Sequence, residues 1–254
     1  MSDLFSLEGR VALITGGSRG IGRMIATGFL RQGARVYITA RKAAACLETA
    51  KELSAIGPCV ALPYDVSTVE GAHALADAYR QHEDKLDILV NNAGAAWGED
   101  FDTYPEKGWD KVVDLNMKTP FFLTQALIGE LRKAAQTQLA KVINIASIDG
   151  VSVNPMETYA YAASKAGVIH LTKRMSLRLI ADRIAVSAIA PGAFASDMNK
   201  DARDNADFVA SRIPAGRIGV DDDMAGAAIY LASRAGDYVV GATLVVDGGV
   251  TLAR

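Results

Sequence analysis

Tyr161 and Lys165 stand four residues apart in Tyr-Ala-Ala-Ser-Lys, within a stretch from Met156 to Ile180 that patterns as helix, and Ser147 lies fourteen residues before the tyrosine. Side chains at i and i+4 of a helix share a face. An ammonium held beside a phenol stabilises the phenolate and draws its pKa down from about 10 toward neutrality. A tyrosine tuned in this way can exchange a proton with a substrate oxygen. The pair alone is weak evidence, because this spacing arises by chance on many helices and a tyrosine flanked by alanines is ordinarily just packed. Tyr159 makes the contrast: the residue four further on is Ala163, so it lacks the ammonium.

The elements that must position these groups are readable from periodicity. β-rich runs cover Arg10–Thr15, Arg35–Thr39, Cys59–Pro63, Asp87–Asn91, Lys141–Ala146, Ile184–Ala190 and Thr243–Val246. Several are nearly continuous apolar runs, as parallel strands covered on both faces require. Helical patterns fall between them near Ile21–Arg31, Ala43–Ile56, Val69–Glu83, Lys107–Ala135, Met156–Ile180 and Asp222–Ser233. The alternation predicts an α/β fold, a single-domain, Rossmann-type doubly wound parallel sheet with right-handed crossovers. No repeat or linker divides residues 1–254. The longest stretch without a clear element follows Pro191, where Gly192, Pro214, Gly216 and Gly219 interrupt the pattern. Residues 193–219 read as a substrate lid, since a loop that long in a compact domain is usually functional.

The first strand runs directly into Thr15-Gly16-Gly17-Ser18-Arg19-Gly20-Ile21-Gly22 and then into a helix. Glycines there let the backbone turn sharply and approach a pyrophosphate, which the free N–H groups and dipole of the helix N-terminus bind. The spacing, Gly-x-x-x-Gly-x-Gly, departs from the commoner Gly-x-Gly-x-x-Gly. After the second strand, where an acid would hold the ribose diol of NAD, stand Ala40 and Arg41, and Arg19 sits in the turn itself. Guanidinium groups with no carboxylate favour a 2′-phosphate and hence NADP(H). The alternative is that Arg41 and Lys42 only solvate a helix start. Asp65, followed by Val66 after the third strand, is placed to accept from the adenine amino group; an Asp there is also a common helix cap.

The whole-chain balance narrows the classes. Half the residues are hydrophobic, 22% are charged and the net charge is −2, with no long run of either sign. This argues against nucleic-acid partners and a polybasic membrane anchor. Two cysteines and three scattered histidines make no disulfide framework and predict no metal site. Acids near Met1, where a signal peptide would be basic, and the lack of an apolar run of about 18 residues lead us to expect a soluble, cytoplasmic protein.

Asn91-Asn-Ala-Gly94 closes the fourth strand and Ser147 follows the fifth, so both fall on the edge where open α/β sheets bind ligands. Ser147 could donate to a substrate carbonyl while Tyr161 supplies the proton as hydride reaches carbon. Together with Asn116, Pro191-Gly192 and the closing Val246-Asp-Gly-Gly249, these motifs resemble the short-chain dehydrogenases/reductases over essentially the whole chain. The resemblance implies a seven-stranded sheet in order 3-2-1-4-5-6-7 and a homodimer or homotetramer. It also implies a tetrad: Tyr161 as acid/base, Lys165 lowering its pKa and holding the nicotinamide ribose, Ser147 orienting the carbonyl, and Asn116 fixing a water for proton relay. Gly16, Ser18, Gly20, Ile21 and Gly22 fall in its phosphate turn. By the same resemblance Asn92, Ala93 and Gly94 line the cofactor, Pro191 and Gly192 border the nicotinamide, and Ser196 faces the carboxamide. Taken alone, Asn116 also reads as a satisfied core amide, and Ser196 as an ordinary lid residue. Ser147 and Tyr161 are one residue further apart than is usual in the family, which an insertion near Asn154-Pro155 would absorb.

Among family members the chain most resembles bacterial 3-oxoacyl reductases of the rhamnolipid-associated branch, in Phe5-Ser-Leu, Thr39-Ala-Arg41, Trp97-Gly98 and Tyr159-Ala-Tyr161. The expected reaction is NADPH-dependent reduction of a 3-oxoacyl thioester. The alternatives are a dehydrogenase of a sugar, polyol or other secondary alcohol and, from a different class, a non-catalytic NADP-binding sensor, which would be expected to have lost the Tyr or the Lys. Trp97, Phe194, Ile148 and Met156 would give an apolar substrate pocket; their plain reading is core packing. Where carrier-protein-docking relatives present basic residues, this chain has Gln138 and Asp182, with Lys141 and Arg183 close enough to compensate in part. An acyl carrier protein as partner is therefore in doubt, and a CoA ester or free ketone stays open.

Overall fold

Alternate residues of each strand face opposite sides of the sheet, and here both sides are apolar. In β1 (Val11–Thr15) Ala12 and Ile14 enter one core while Val11 and Leu13 enter the other. The same division recurs in β4 (Ile88–Asn91), with Ile88 and Val90 opposite Leu89, and in β5 (Ala140–Ile145), with Ile143 and Ile145 opposite Val142. A strand so flanked must be covered by helices on both faces. Each fully buried Leu or Ile contributes roughly 1.5–3 kcal/mol by area. The computed structural model of the chain describes residues 2–196, 199 and 203–252.

The remaining strands are β2 (Arg35–Thr39), β3 (Cys59–Ala61), β6 (Ile184–Pro191) and β7 (Thr243–Val246). All seven form one parallel sheet in order β3-β2-β1-β4-β5-β6-β7, so every C-terminal strand end reaches the same edge. Register is tight at the centre, where Asn91 of β4 pairs with Asn144 of β5. On one face lie α1 (Gly20–Arg31) and α2 (Ala43–Leu53); α3 (Val69–Arg80), α4 (Glu106–Val113), α5 (Thr119–Ala126), α6 (Ile128–Ala134) and α7 (Tyr159–Leu179) follow along the chain. A short α8 (Ala206–Ala210) and then α9 (Asp221–Ala232) complete the order. A Cβ on Gly28 of α1 would come within 2.6 Å of the Ala225 Cβ on α9, so glycine is what lets those helices meet.

Three sequence expectations shift. The helix expected over Lys107–Ala135 is interrupted by a π-helical turn at Asp114–Lys118 and breaks again at Leu127. The Thr119 backbone N–H closes the turn on the Asp114 carbonyl, and the Thr119 hydroxyl is within donating distance of the Val66 and Asp114 carbonyls, at 2.6 and 3.1 Å. The active-site helix starts at Tyr159 rather than Met156, because the Met156 N–H is turned to the Asn154 side chain at 2.7 Å. The third strand ends at Ala61, and Asp65 lies beyond it. In the stretch expected to be a lid, residues 197, 198 and 200–202 lie outside the described residues, while α8 falls inside it. Its ends are tied down by the Phe194–Gly219 bridge and by the Gly219 N–H donating to the Ala193 carbonyl at 2.9 Å. Among the described residues no helix is long and apolar enough to cross a membrane.

Candidate active site

The phosphate turn is held from the neighbouring strand. Thr15 Oγ1 accepts the N–H groups of Asn92 and Ala93, each at 2.9 Å, and Asn92 Nδ2 donates back to the Thr15 carbonyl at 2.8 Å and the Gly16 carbonyl at 3.2 Å. Gly16 has φ +65, and a Cβ there would sit 2.8 Å from Asn92 Nδ2. A Cβ on Gly22 would strike the Gly16 carbonyl oxygen. The turn thus leaves its N–H groups at the start of α1 with room only for backbone, which is the cradle a pyrophosphate needs. Thr49 of α2 clips its outer side by donating to the Ser18 carbonyl at 3.0 Å. Gly20, with φ +50, approaches the Ser196 side chain, whose hydroxyl accepts from the Asn199 N–H at 3.1 Å. Ile21 packs on the core beside the turn, and the Arg19 backbone is extended ahead of α1.

At the end of β2, Arg41 is exposed in the link to α2, and no carboxylate occupies that link. Asp65 is exposed and accepts from the Ser67 N–H at 3.0 Å, while Val66 is buried. The cap of α3 is Thr68, whose hydroxyl accepts from Gly71, so Asp65 is not spent as a helix cap. Gly192 lies against the backbone of Asp247, and Gly94 against the Asn116 amide and the Lys165 ammonium. These groups, from five strand ends, share one edge.

Ser147, Tyr161 and Lys165 sit at its centre. Ser147 caps the short turn Ile148–Gly150 and is 7% exposed; its Oγ accepts the Asp149 N–H at 3.1 Å. The Ser147 hydroxyl also contacts Tyr161 of α7, which favours the phenolate. Burial outweighs that contact and, with the nearby Asp149 carboxylate adding to it, pushes the Tyr161 phenol up to about 12. Lys165 is buried, donates to the Ile145 carbonyl at 2.7 Å, and lies 5.5 Å from the centroid of the Tyr161 ring. Burial pulls its ammonium down to about 8, with Asp149 opposing. The Lys165 ammonium lies over the ring, and desolvation is the largest influence on the phenol.

Asn116 lies in the π-helical turn and is 2% exposed. Its amide donates to the Ala95 carbonyl at 2.9 Å and Ser164 Oγ at 3.0 Å, and its Oδ1 accepts from the Ala95 N–H at 2.8 Å. The side chain is engaged in fixing the loop after β4.

Of the residues expected to line an apolar pocket, Trp97 and Ile148 are half-buried, while Phe194 and Met156 are placed otherwise. Phe194 is 2% exposed in the core, with its ring against Gly219, and it faces no cleft. The Trp97 ring packs on Gly108 of α4 with the Lys111 ammonium 5.2 Å from its centroid. Met156 is 63% exposed. Nor does Lys141 supply a surface charge: it is buried, 2.8 Å from Asp237. Gln138 reaches Asp87, Arg183 donates to the Ala135 carbonyl, and Asp182 holds Arg132 and Arg178. Sequence reading gave no role to the Thr15 hydroxyl, Ser164 or Asp149. Only Thr15 carried a signal, a hydroxyl ending a strand beside a glycine turn.

The family profile described as enoyl-(acyl carrier protein) reductase matches residues 16–251. A short-chain type dehydrogenase/reductase from Mycobacterium marinum shares the structure with a TM-score of 0.91 at 32% identity, covering 98% of each chain. The chain belongs to the short-chain dehydrogenase/reductase family. Within that family it is 45% identical to the rhamnolipids biosynthesis 3-oxoacyl-[acyl-carrier-protein] reductase of Pseudomonas aeruginosa, over 99% of this chain and 100% of the relative. The P. aeruginosa RhlG/NADP active-site complex superimposes with a TM-score of 0.95 at 45% identity, covering 99% of this chain and 100% of that one. A 2-dehydro-3-deoxy-D-gluconate 5-dehydrogenase of Dickeya dadantii is 38% identical over 96% of each chain. As a short-chain dehydrogenase/reductase the chain is an oxidoreductase.

Proposed function

We propose that this enzyme reduces a 3-oxoacyl thioester to its 3-hydroxyacyl form at the expense of NADPH. The observation that carries the reading is the full-length similarity to the P. aeruginosa 3-oxoacyl reductase, 45% identical end to end, in a chain that holds Ser147, Tyr161 and Lys165 on one sheet edge. The glycine cradle of Gly16, Ser18, Arg19, Gly20, Ile21 and Gly22 would hold the pyrophosphate, and Arg41 the 2′-phosphate. Asp65 and Val66 would meet the adenine; Asn92, Ala93, Gly94 and Lys165 the ribose side; Pro191, Gly192 and Ser196 the nicotinamide.

Bound NADPH supplies the hydride. Ser147 accepts the Asp149 N–H, and its own proton would turn from Tyr161 to the carbonyl oxygen, which it orients and polarises. Tyr161 gives its proton to that oxygen as negative charge builds there; an alkoxide is far more basic than a phenolate, so a phenol held near 12 still transfers readily. Lys165 spends one of its N–H groups on Ile145, and its ammonium lies 5.5 Å from the centroid of the Tyr161 ring. The stretch 193–219 would cover the substrate.

A carrier protein is the weaker form of the substrate. Of the cations that could receive an acidic carrier protein, Lys141 is buried against Asp237 and Arg183, though exposed, donates to the Ala135 carbonyl. Exposed Trp109, Phe121 and Leu177 on α4, α5 and α7 support a homodimer or homotetramer, which light scattering tests. The free thiols of Cys46 and Cys59 suit the cytoplasm. The gluconate-related relatives favour a sugar acid as the second reading. Assays of NADPH oxidation with acetoacetyl-CoA, a longer 3-oxoacyl thioester and a panel of keto-sugars decide between them; turnover of the sugars alone would overturn the first.

A further inference from the structure

Val246-Asp-Gly-Gly249 carries none of the reacting groups, yet it lies where the cofactor edge meets the return arm of the 193–219 stretch. Val246 pairs with Pro191 at the end of the sheet, and its carbonyl accepts the Gly192 N–H at 2.9 Å. A Cβ on Gly192 would come within 2.8 Å of both Cα and Cβ of Asp247. The Asp247 carboxylate then gathers the chain that follows it: Oδ1 accepts the Gly249 N–H at 2.8 Å, and Oδ2 accepts the N–H and the hydroxyl of Thr251 at 2.8 and 2.7 Å. Burial opposes ionisation there, but the donors of Thr251 and Gly249 outweigh it and hold the carboxyl below its ordinary value. These bonds fix a turn in which Gly248 has φ +65 and Gly249 φ +93. The return arm rests on that turn. The Gly248 carbonyl accepts the Ala215 N–H at 3.0 Å, and a Cβ on Gly248 would meet Ile213 Cγ2 at 2.6 Å, while one on Gly249 would meet the Pro214 ring at 3.3 Å. Ile213 is buried; its N–H donates to Ala210 at the end of α8, and its carbonyl accepts the Gly216 N–H at 2.8 Å. The arm that carries α8 is thus seated on the turn that Asp247 ties.

We propose that Asp247 is a positioning residue for substrate binding: its carboxylate sets the turn at 247–251 on which Ile213, Pro214 and Ala215 seat the arm carrying α8, and so fixes that arm relative to Pro191 and Gly192. The inference rests on the reading of 193–219 as the cover of the substrate. A carboxylate accepts all of these donors. A carboxamide of the same shape has one acceptor oxygen and turns an NH2 toward the remaining donors, so the bonds to Gly249 or those to Thr251 are lost. The contact with Gly192 is made by Cα and Cβ of Asp247, which asparagine keeps, so the cofactor side is left in place.

The test compares D247N with T251V, which removes the hydroxyl bond alone, and with G248A, which keeps the carboxylate but presses on Ile213. With saturating NADPH, D247N raises the KM for acetoacetyl-CoA about tenfold while kcat changes by less than about twofold. T251V moves KM the same way by roughly threefold, and G248A by about tenfold. NADPH affinity, read by cofactor fluorescence, stays within about twofold of wild type in D247N. A second readout needs no turnover: in hydrogen exchange followed by NMR, the Ala215 and Gly216 N–H groups exchange about tenfold faster or more in D247N, while those of β1 and β5 keep their protection. A KM that holds in D247N overturns the proposal. So does a loss shared by kcat, cofactor affinity and the protection of β1 and β5, which marks a general loss of stability. Failure of the thioester reading shows separately: a wild type that reduces keto-sugars and leaves acetoacetyl-CoA untouched sinks that reading, and the same rise in the KM of the sugar in D247N upholds this one.

Discussion

A phenol is protonated at neutral pH, and burial holds Tyr161 further toward that form, which favours donation over abstraction. Tyr161→Phe should lower reduction by about 10²–10⁴-fold while NADPH still binds, as read by cofactor fluorescence; undiminished activity would refute the acid role. Lys165 gives a signed prediction. Its folded pKa, about 8, lies below the ordinary 10.5, so below pH 8 the fold carries the full penalty of a buried ammonium. As pH rises from about 8 to 10.5 the folded state sheds that proton first, and the penalty fades. Lys165→Met should therefore raise the urea midpoint at pH 7, by about 1–3 kcal/mol of stability, with a gain that disappears toward pH 10.5, while abolishing reduction. A variant less stable than wild type at pH 7 would contradict this account.

At the level of elements, the turn between β1 and α1 and the turn between β5 and α7 both depend on glycines pressed against backbone. Gly22→Ala has no room beside the Gly16 carbonyl, so NADPH binding should be lost with little change in the far-ultraviolet circular dichroism spectrum. The cofactor preference belongs to the β2–α2 link: Arg41→Asp should turn the NADPH-over-NADH ratio of kcat/KM toward NADH by about tenfold or more. An unchanged ratio would remove Arg41 from the 2′-phosphate site. The π-helical turn at Asp114–Lys118 has a comparable local logic, since the Asn116 amide reaches both Ala95 and Ser164 from it and so joins the loop after β4 to α7.

At the scale of the molecule, the edge opposite the site is held by buried charge. Asp87 is fully buried, accepts the Val11 N–H at 2.9 Å, and faces Arg10 at 3.6 Å and Lys85 at 3.2 Å. Arg10 in turn donates to the carbonyls of Leu139 and Asp87, binding β1, β4 and the approach to β5. Asp87→Asn would leave the Arg10 guanidinium buried against a neutral amide, at a cost of about 3–5 kcal/mol in urea unfolding. Because the cluster lies at the N-terminal strand ends, the kcat of the folded enzyme should not move. A large fall in kcat at unchanged stability would show that the two edges are coupled.

Periodicity alone determined the seven strands, their doubly wound arrangement and the edge that carries Asn92, Ser147 and Tyr161, because parallel strands must be apolar on both faces and ligands gather at their C-terminal ends. Residue types and spacing likewise marked the glycine turn and the Tyr/Lys pair. Tertiary structure alone decided what depends on packing between distant segments. It buried Phe194 behind Gly219 and laid Trp97 on Gly108, because an apolar side chain in a loop is equally suited to core and cleft. It set the proton balance as well: the Tyr161 and Lys165 pKa values follow from burial and from Asp149, and neither is a property of a four-residue spacing.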